Sequence, residues 1–166
     1  EGRMHLYSSD MLTDKWENGK PLKGLDENSN NNYPYILSDG ATLYFASDGS
    51  ESLGGYDIFI TRYNSERNQF LRPENIGMPF NSPANDYMMV IDEFNTLGWF
   101  ASDRNQPEGK VCIYTFIPNE ENTTLDEEQV SAEQLRNRAQ LTSIKDTWKN
   151  ENDMQRAKQR IANAKD

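Results

Sequence analysis

A chain of 166 residues with a formal charge of -10 has room for one domain with a real core, or a small domain and an appendage, but not for two ordinary domains. Apolar types reach only 35% while aromatics make up 11%, so burial must come from short segments rich in Tyr, Phe and Trp, which favours strands over a helical bundle. A single cysteine, Cys112, excludes an intrachain disulfide, one histidine, His5, argues against zinc, and the acid excess argues against nucleic acid and anionic membrane surfaces as partners.

The chain opens on Glu1-Gly2-Arg3 rather than on a signal peptide, a start that suggests a processed or truncated chain, and no apolar run approaches the ~20 residues of a membrane span. The first strand-like segment is His5-Leu6-Tyr7-Ser8, followed by Trp16, Lys20-Pro21-Leu22 and Gly24. Strands are then expected over 33–37, 42–47, 56–63 and 69–76. Asp39-Gly40 reads as a two-residue hairpin turn, because both residues tolerate the positive φ that the favoured turn demands. Gly54-Gly55 reads as a similar break before the third strand. Within 42–47, Leu43, Phe45 and Ser47 alternate with Thr42, Tyr44 and Ala46, filling both faces as in a sheet packed between neighbours.

This unit recurs. Leu43-Tyr44-Phe45-Ala46-Ser47-Asp48 returns as Gly98-Trp99-Phe100-Ala101-Ser102-Asp103, a spacing of 55 that also places Ile58-Phe59 on Ile113-Tyr114. With a slip of a residue or two, Asn28-Ser29 parallels Asn81-Ser82, Trp16 parallels Phe70, and His5 to Ser8 falls where Ile58 to Thr61 lies. The repeat therefore begins mid-unit. Strands in groups of two, four and three, with repeats stacked face to face, give an all-β fold of tandem four-stranded antiparallel propeller blades, a partial β-propeller, with a C-terminal α-helical segment.

The runs from Tyr35 to Asp48 and from Gly54 to Phe59 resemble the WD-type repeat of TolB-like β-propellers. The linking run from Asn75 to Tyr87 is similar to the version found in envelope proteins of the Bacteroidota. That resemblance covers roughly residues 3–117 and implies a periplasmic or outer-membrane-associated protein that binds a protein partner. The last repeat departs from the pattern: Asp39-Gly40 becomes Phe94-Asn95, Leu43 becomes Gly98, and Gly55-Tyr56-Asp57 becomes Lys110-Val111-Cys112. It reads as a degenerate terminal blade.

The organisation expected is thus a partial propeller over 1–118, about two and a quarter blades, and a polar linker with a C-terminal helix over 119–166. Residues 1–124 hold 19 acidic against nine basic side chains, whereas residues 125–166 hold eight of each. Thr124 with Glu127 fits a capping box, and no Gly or Pro interrupts the stretch from Leu125 to Ala164. Its thin apolar stripe, Leu141, Ile144 and Trp148, is the candidate partner-docking surface. Fewer than four blades cannot close a ring. The exposed end faces need covering by upstream blades, by a second copy of the chain, or by this helix.

Two Asp-rich loops, one with Asp48, Ser50, Ser52 and Asp57 and the other with Asp103, Asn105 and Glu108, carry oxygen ligands that suit calcium. Neither has the spacing of a calcium-binding loop, and turn closure by Asp outweighs a metal site. No metal or cofactor is expected. Asp92-Glu93 point to opposite faces of a strand, His5 reads as a satisfied or solvent-facing residue, and Cys112 as a buried small hydrophobe. With no catalytic constellation, the leading expectation is a noncatalytic protein–protein interaction or scaffold module of a bacterial cell-envelope protein. A glycan or peptidoglycan-fragment binder using Trp16, Tyr33 and Tyr87 is the alternative, although these rings read more naturally as filling between blades, and a propeller-type hydrolase comes third.

Overall fold

The computed structural model describes residues 2–118 and, beyond them, Gln155, Lys158, Gln159 and Ala162, whose backbone is helical. Leu141, Ile144, Trp148 and the linker lie outside the described residues. Through residue 118 the chain is all-β: twelve strands form several antiparallel sheets, none of them closed.

The opening unit holds four two-residue strands where two were expected: β1 (Tyr7–Ser8), β2 (Met11–Leu12), β3 (Lys15–Trp16) and β4 (Lys20–Pro21). β1 pairs with β4 and β2 with β3. The first full sheet follows, with β5 (Asn31–Ile36), β6 (Thr42–Ser47), β7 (Asp57–Asn64), β8 (Gln69–Phe70) and β9 (Glu74–Asn75), the last two both paired to β7. The single strand expected over 69–76 is thus divided, and Pro73, which has no amide to donate, stands in the gap. The second sheet is β10 (Asp86–Asp92), β11 (Leu97–Ser102) and β12 (Cys112–Phe116).

The repeat of 55 is a repeat of register. Phe45 lies opposite Phe59 as Phe100 lies opposite Tyr114, and Asn31 opposite Ser47 as Asp86 opposite Ser102. Irregularities recur as well, between Asn32 and Tyr35 in β5 and between Tyr87 and Met89 in β10. The opening unit follows the first sheet at a spacing of 53: Tyr7 faces Pro21 as Ile60 faces Glu74, and Met11 faces Trp16 as Asn64 faces Gln69. Trp16 therefore corresponds to Gln69 and not to Phe70. A shift of one residue moves a side chain to the opposite face. That is why Trp16 is 69% exposed and fills no space between sheets, while Phe70 is buried.

Alternation sends the two faces of the first sheet into two cores. Leu43, Phe45 and Phe59 pack with Phe70 against Leu6 of the opening unit, while Ile58 and Tyr44 pack against Met89 and Phe100 of the second sheet. Phe45 and Phe100 are each 2% exposed, the equivalent buried positions that the repeat predicts.

Three local expectations need correction. Asp39-Gly40 is not a two-residue hairpin: five residues separate β5 from β6, only Gly40 has positive φ, and Asp39 closes the turn by accepting from the amides of Ala41 and Thr42, each at 2.8 Å. Gly54 and Gly55 are needed for close approach rather than for a turn conformation, because a Cβ on either would collide with Pro83 or with Asn85 of the next repeat. Leu43 faces Thr61, whereas Gly98 faces Phe116, whose ring covers the space a Cβ at Gly98 would take. The large residue has crossed to the neighbouring strand, so the pair compensates for what reads in sequence as decay.

Candidate functional site

Where β7 begins, the loop carrying Gly54-Gly55-Tyr56 runs against the start of β10. Tyr56 donates its amide to the Asn85 side chain at 3.0 Å, and Asp86 donates its amide to the Tyr56 carbonyl at 2.6 Å. This seam brings three tyrosines together. The Tyr33 and Tyr87 ring centroids are 5.5 Å apart, and Tyr56 lies 6.2 Å from each. Tyr33 has a φ of 51° at the irregular point of β5, a conformation that a bulky side chain adopts at a cost of order 1–3 kcal/mol. The irregularity aims its ring across the seam and leaves it partly exposed.

Two carboxylates back the cluster. Asp48 accepts from the backbone and side-chain nitrogens of Asn30, both at 2.7 Å. One repeat on, Asp103 accepts from the same two nitrogens of Asn85, at 2.8 and 2.7 Å, and from the Tyr87 hydroxyl at 3.2 Å. Burial acting alone would raise the Asp103 carboxyl, but these hydrogen bonds outweigh it and hold the group below its usual range. Burial and the Asp103 charge push the Tyr87 phenol up to about 12, and burial followed by the Asp48 charge raises Tyr56. Both phenols therefore stay protonated at neutral pH, able to donate hydrogen bonds and unsuited to act as bases.

In the first Asp-rich loop Asp57 and Ser52 close the turn, whereas Asp48 and Asp103 each reach a segment 18 residues earlier. Asp57 accepts from the Leu53 amide at 2.8 Å and from the Asn75 side chain at 2.7 Å, and Ser52 donates to the Ser47 carbonyl at 2.7 Å. Among the described residues no three His, Cys, Asp or Glu side chains gather where they could hold a metal ion. His5 is exposed. Cys112 is half-buried rather than buried, because β12 is an edge strand.

Beyond that edge lies an open face. Ile58 is 0% exposed beneath the second sheet; its counterpart Ile113 is 64% exposed and neighbours Val111, with half-buried Trp99 on the same face of β11. The repeat itself implies exposed end faces of this kind, and its spacing of 55 places Ile113 at the counterpart of Ile58. Tyr56 was passed over because it sits in a glycine-rich turn, where an aromatic ring gives no periodic signal. No family model, curated protein or solved structure matches the chain. Among the described residues no helix is long and apolar enough to cross a membrane.

Proposed function

We propose that this chain is a noncatalytic protein-binding module of a bacterial cell-envelope protein, with its two sheets serving as blades of a TolB-like propeller in the periplasm or at the outer membrane. The observation that carries this reading is the pair Ile58 and Ile113. The first sheet buries the face that holds Ile58 under the second sheet, and the second sheet presents the equivalent face, with Ile113, to solvent. Contiguous exposed apolar surface of this kind marks a protein interface. The occupant is a partner's sheet or helix, or the chain's own C-terminal stretch with Leu141, Ile144 and Trp148.

Replacing Ile113 by Asp tests the idea, since an exposed edge residue should cost no more than about 0.5 kcal/mol of stability. The native chain should bind a hydrophobic dye or retain an envelope protein that the variant does not. Equal dye binding and equal retention by both chains would sink the proposal.

The tyrosine cluster favours a second reading, a glycan or peptidoglycan-fragment site. Three ring surfaces backed by hydrogen-bond acceptors suit a sugar, which offers C–H groups to rings and hydroxyls to carboxylates. Titrating cell-wall fragments against the native chain and Tyr33→Ala decides it: resonances of Tyr56 and Tyr87 that stay unmoved in the native chain remove the idea.

A further inference from the structure

The two sheets differ in what fills one equivalent space. In the second sheet the Arg104 side chain is 3% exposed and its guanidinium is fully engaged. Its Nε donates to Ser102 Oγ at 2.9 Å, Nη1 donates to the Pro79 carbonyl at 2.8 Å, and Nη2 donates to the Phe80 carbonyl and to Asp86. The guanidinium carbon lies 5.4 Å from the Phe100 ring centroid and 5.8 Å from that of Tyr114.

Subtracting the spacing of 55 converts Asp86, Phe100, Ser102 and Tyr114 into Asn31, Phe45, Ser47 and Phe59, and Arg104 into Gly49. The strand register makes these true counterparts. In the first sheet those same four residues line a cavity of about 340 Å³, with Gly49 in its wall where the arginine stem would start. Asn31 is 3% exposed, and its Oδ1 is buried without a hydrogen-bond partner, at the position where Asp86 receives the guanidinium. Two carboxylates, Asp26 and Glu51, complete the lining.

We propose that this cavity is a receptor for a guanidinium group, delivered by an arginine side chain of a partner protein. The second sheet supplies the template: two aromatic rings for the flat face of the cation, a serine hydroxyl and a side-chain oxygen for its edge. Arginine fits where lysine does not, because only a planar fork can stack on rings and donate along several directions at once. Asn31 in place of Asp86 removes one charge from the floor, and Asp26 returns one, while Glu51 is balanced by Arg72. Arg72 also borders the cavity, but its guanidinium is paired with Glu51 and 84% exposed. The chain's charge of -10 draws a basic partner toward the site. This inference does not depend on the open face of the second sheet, and its test uses a different ligand and different residues.

The probe is doubly blocked arginine, N-acetyl-arginine methylamide, titrated into the full chain and followed by amide resonances, with the blocked lysine analogue as control. Saturable shifts should appear at Asn31, Ser47 and Gly49. Lysine should bind at least about tenfold more weakly, since each hydrogen bond from a charged donor that it cannot reproduce is worth a factor of that order. Ser47→Ala, which removes one acceptor, should weaken arginine binding while the chain stays folded.

Gly49→Arg combined with Ser29→Ala should fill the cavity from within, raising the melting temperature and abolishing the shifts. The second change is needed because a Cβ at Gly49 would stand 2.7 Å from Ser29 Oγ. Ser29→Ala alone should still bind. Absence of shifts in the native chain, equal response to lysine, or undiminished binding in Ser47→Ala overturns the proposal. So does a large loss of stability in Arg72→Ala with no arginine binding by the native chain, which would assign the cavity to Arg72.

Discussion

Removing Arg104 should be among the most damaging single changes in this chain. Truncation to Met keeps the stem over the Phe100 ring and deletes the guanidinium, leaving Asp86, itself 0% exposed, with only the amide and hydroxyl of Ser82, at 2.6 and 2.8 Å. The Pro79 and Phe80 carbonyls lose their donors as well. Breaking a buried ion pair by removing one partner costs about 3–5 kcal/mol, because an uncompensated charge stays behind. Against a total stability of about 5–15 kcal/mol for an ordinary domain, Arg104→Met should sit near the edge of unfolding. Adding Asp86→Asn removes the stranded charge and reproduces the Asn31 arrangement of the first sheet, so the double variant should recover about 2 kcal/mol. Urea denaturation reads both values from midpoint shifts at constant slope. A loss below about 1 kcal/mol for Arg104→Met, or a double variant no more stable than the single, would refute the assignment of Arg104 as the buried counter-charge.

The exchange of Leu43 and Thr61 for Gly98 and Phe116 predicts strong coupling: Gly98→Leu should destabilise by about 1–3 kcal/mol through overpacking, and adding Phe116→Thr should restore most of that in a double-mutant cycle. Phe45→Ala, at a position 2% exposed, should cost about 3–5 kcal/mol by denaturant titration, and a loss below about 1 kcal/mol would mean that the repeat register is misassigned. Asp39 carries a pH signature. Hydrogen bonds from the Thr42 hydroxyl and amide, and from the Ala41 amide, hold its carboxyl at about 2 against an ordinary 3.8. A depressed carboxyl stabilises the fold above its unfolded value and loses that contribution as pH falls through its folded value, so stability should drop between about pH 4 and 2. Asp39→Asn should show a shallower drop over that window, and an unchanged acid profile would remove Asp39 as its source.

Much of the fold was legible in the order of the residues. The four identical residues at 45–48 and 100–103 marked the repeat, the alternation around Phe45 marked a sheet buried on both faces, and Asp39 and Asp57 marked turns. These are local signals: a period of two residues and the hydrogen-bonding habit of a short carboxylate act within a few positions of each other. Trp16 shows where local reading stops, because a one-residue difference in strand pairing, invisible in composition, decides whether a ring is buried or exposed. Gly54 and Gly55 look like turn residues until Pro83 and Asn85 arrive from the next repeat. Gly98 looks like a lost Leu43 until Phe116 is found opposite it. The cavity beside Gly49 is the plainest case. The spacing of 55 puts a glycine where the other repeat has Arg104, but only the tertiary structure shows that the surrounding residues line a cavity, because a cavity is set by what converges in space, and the partners of Arg104 come from four separate segments of the chain.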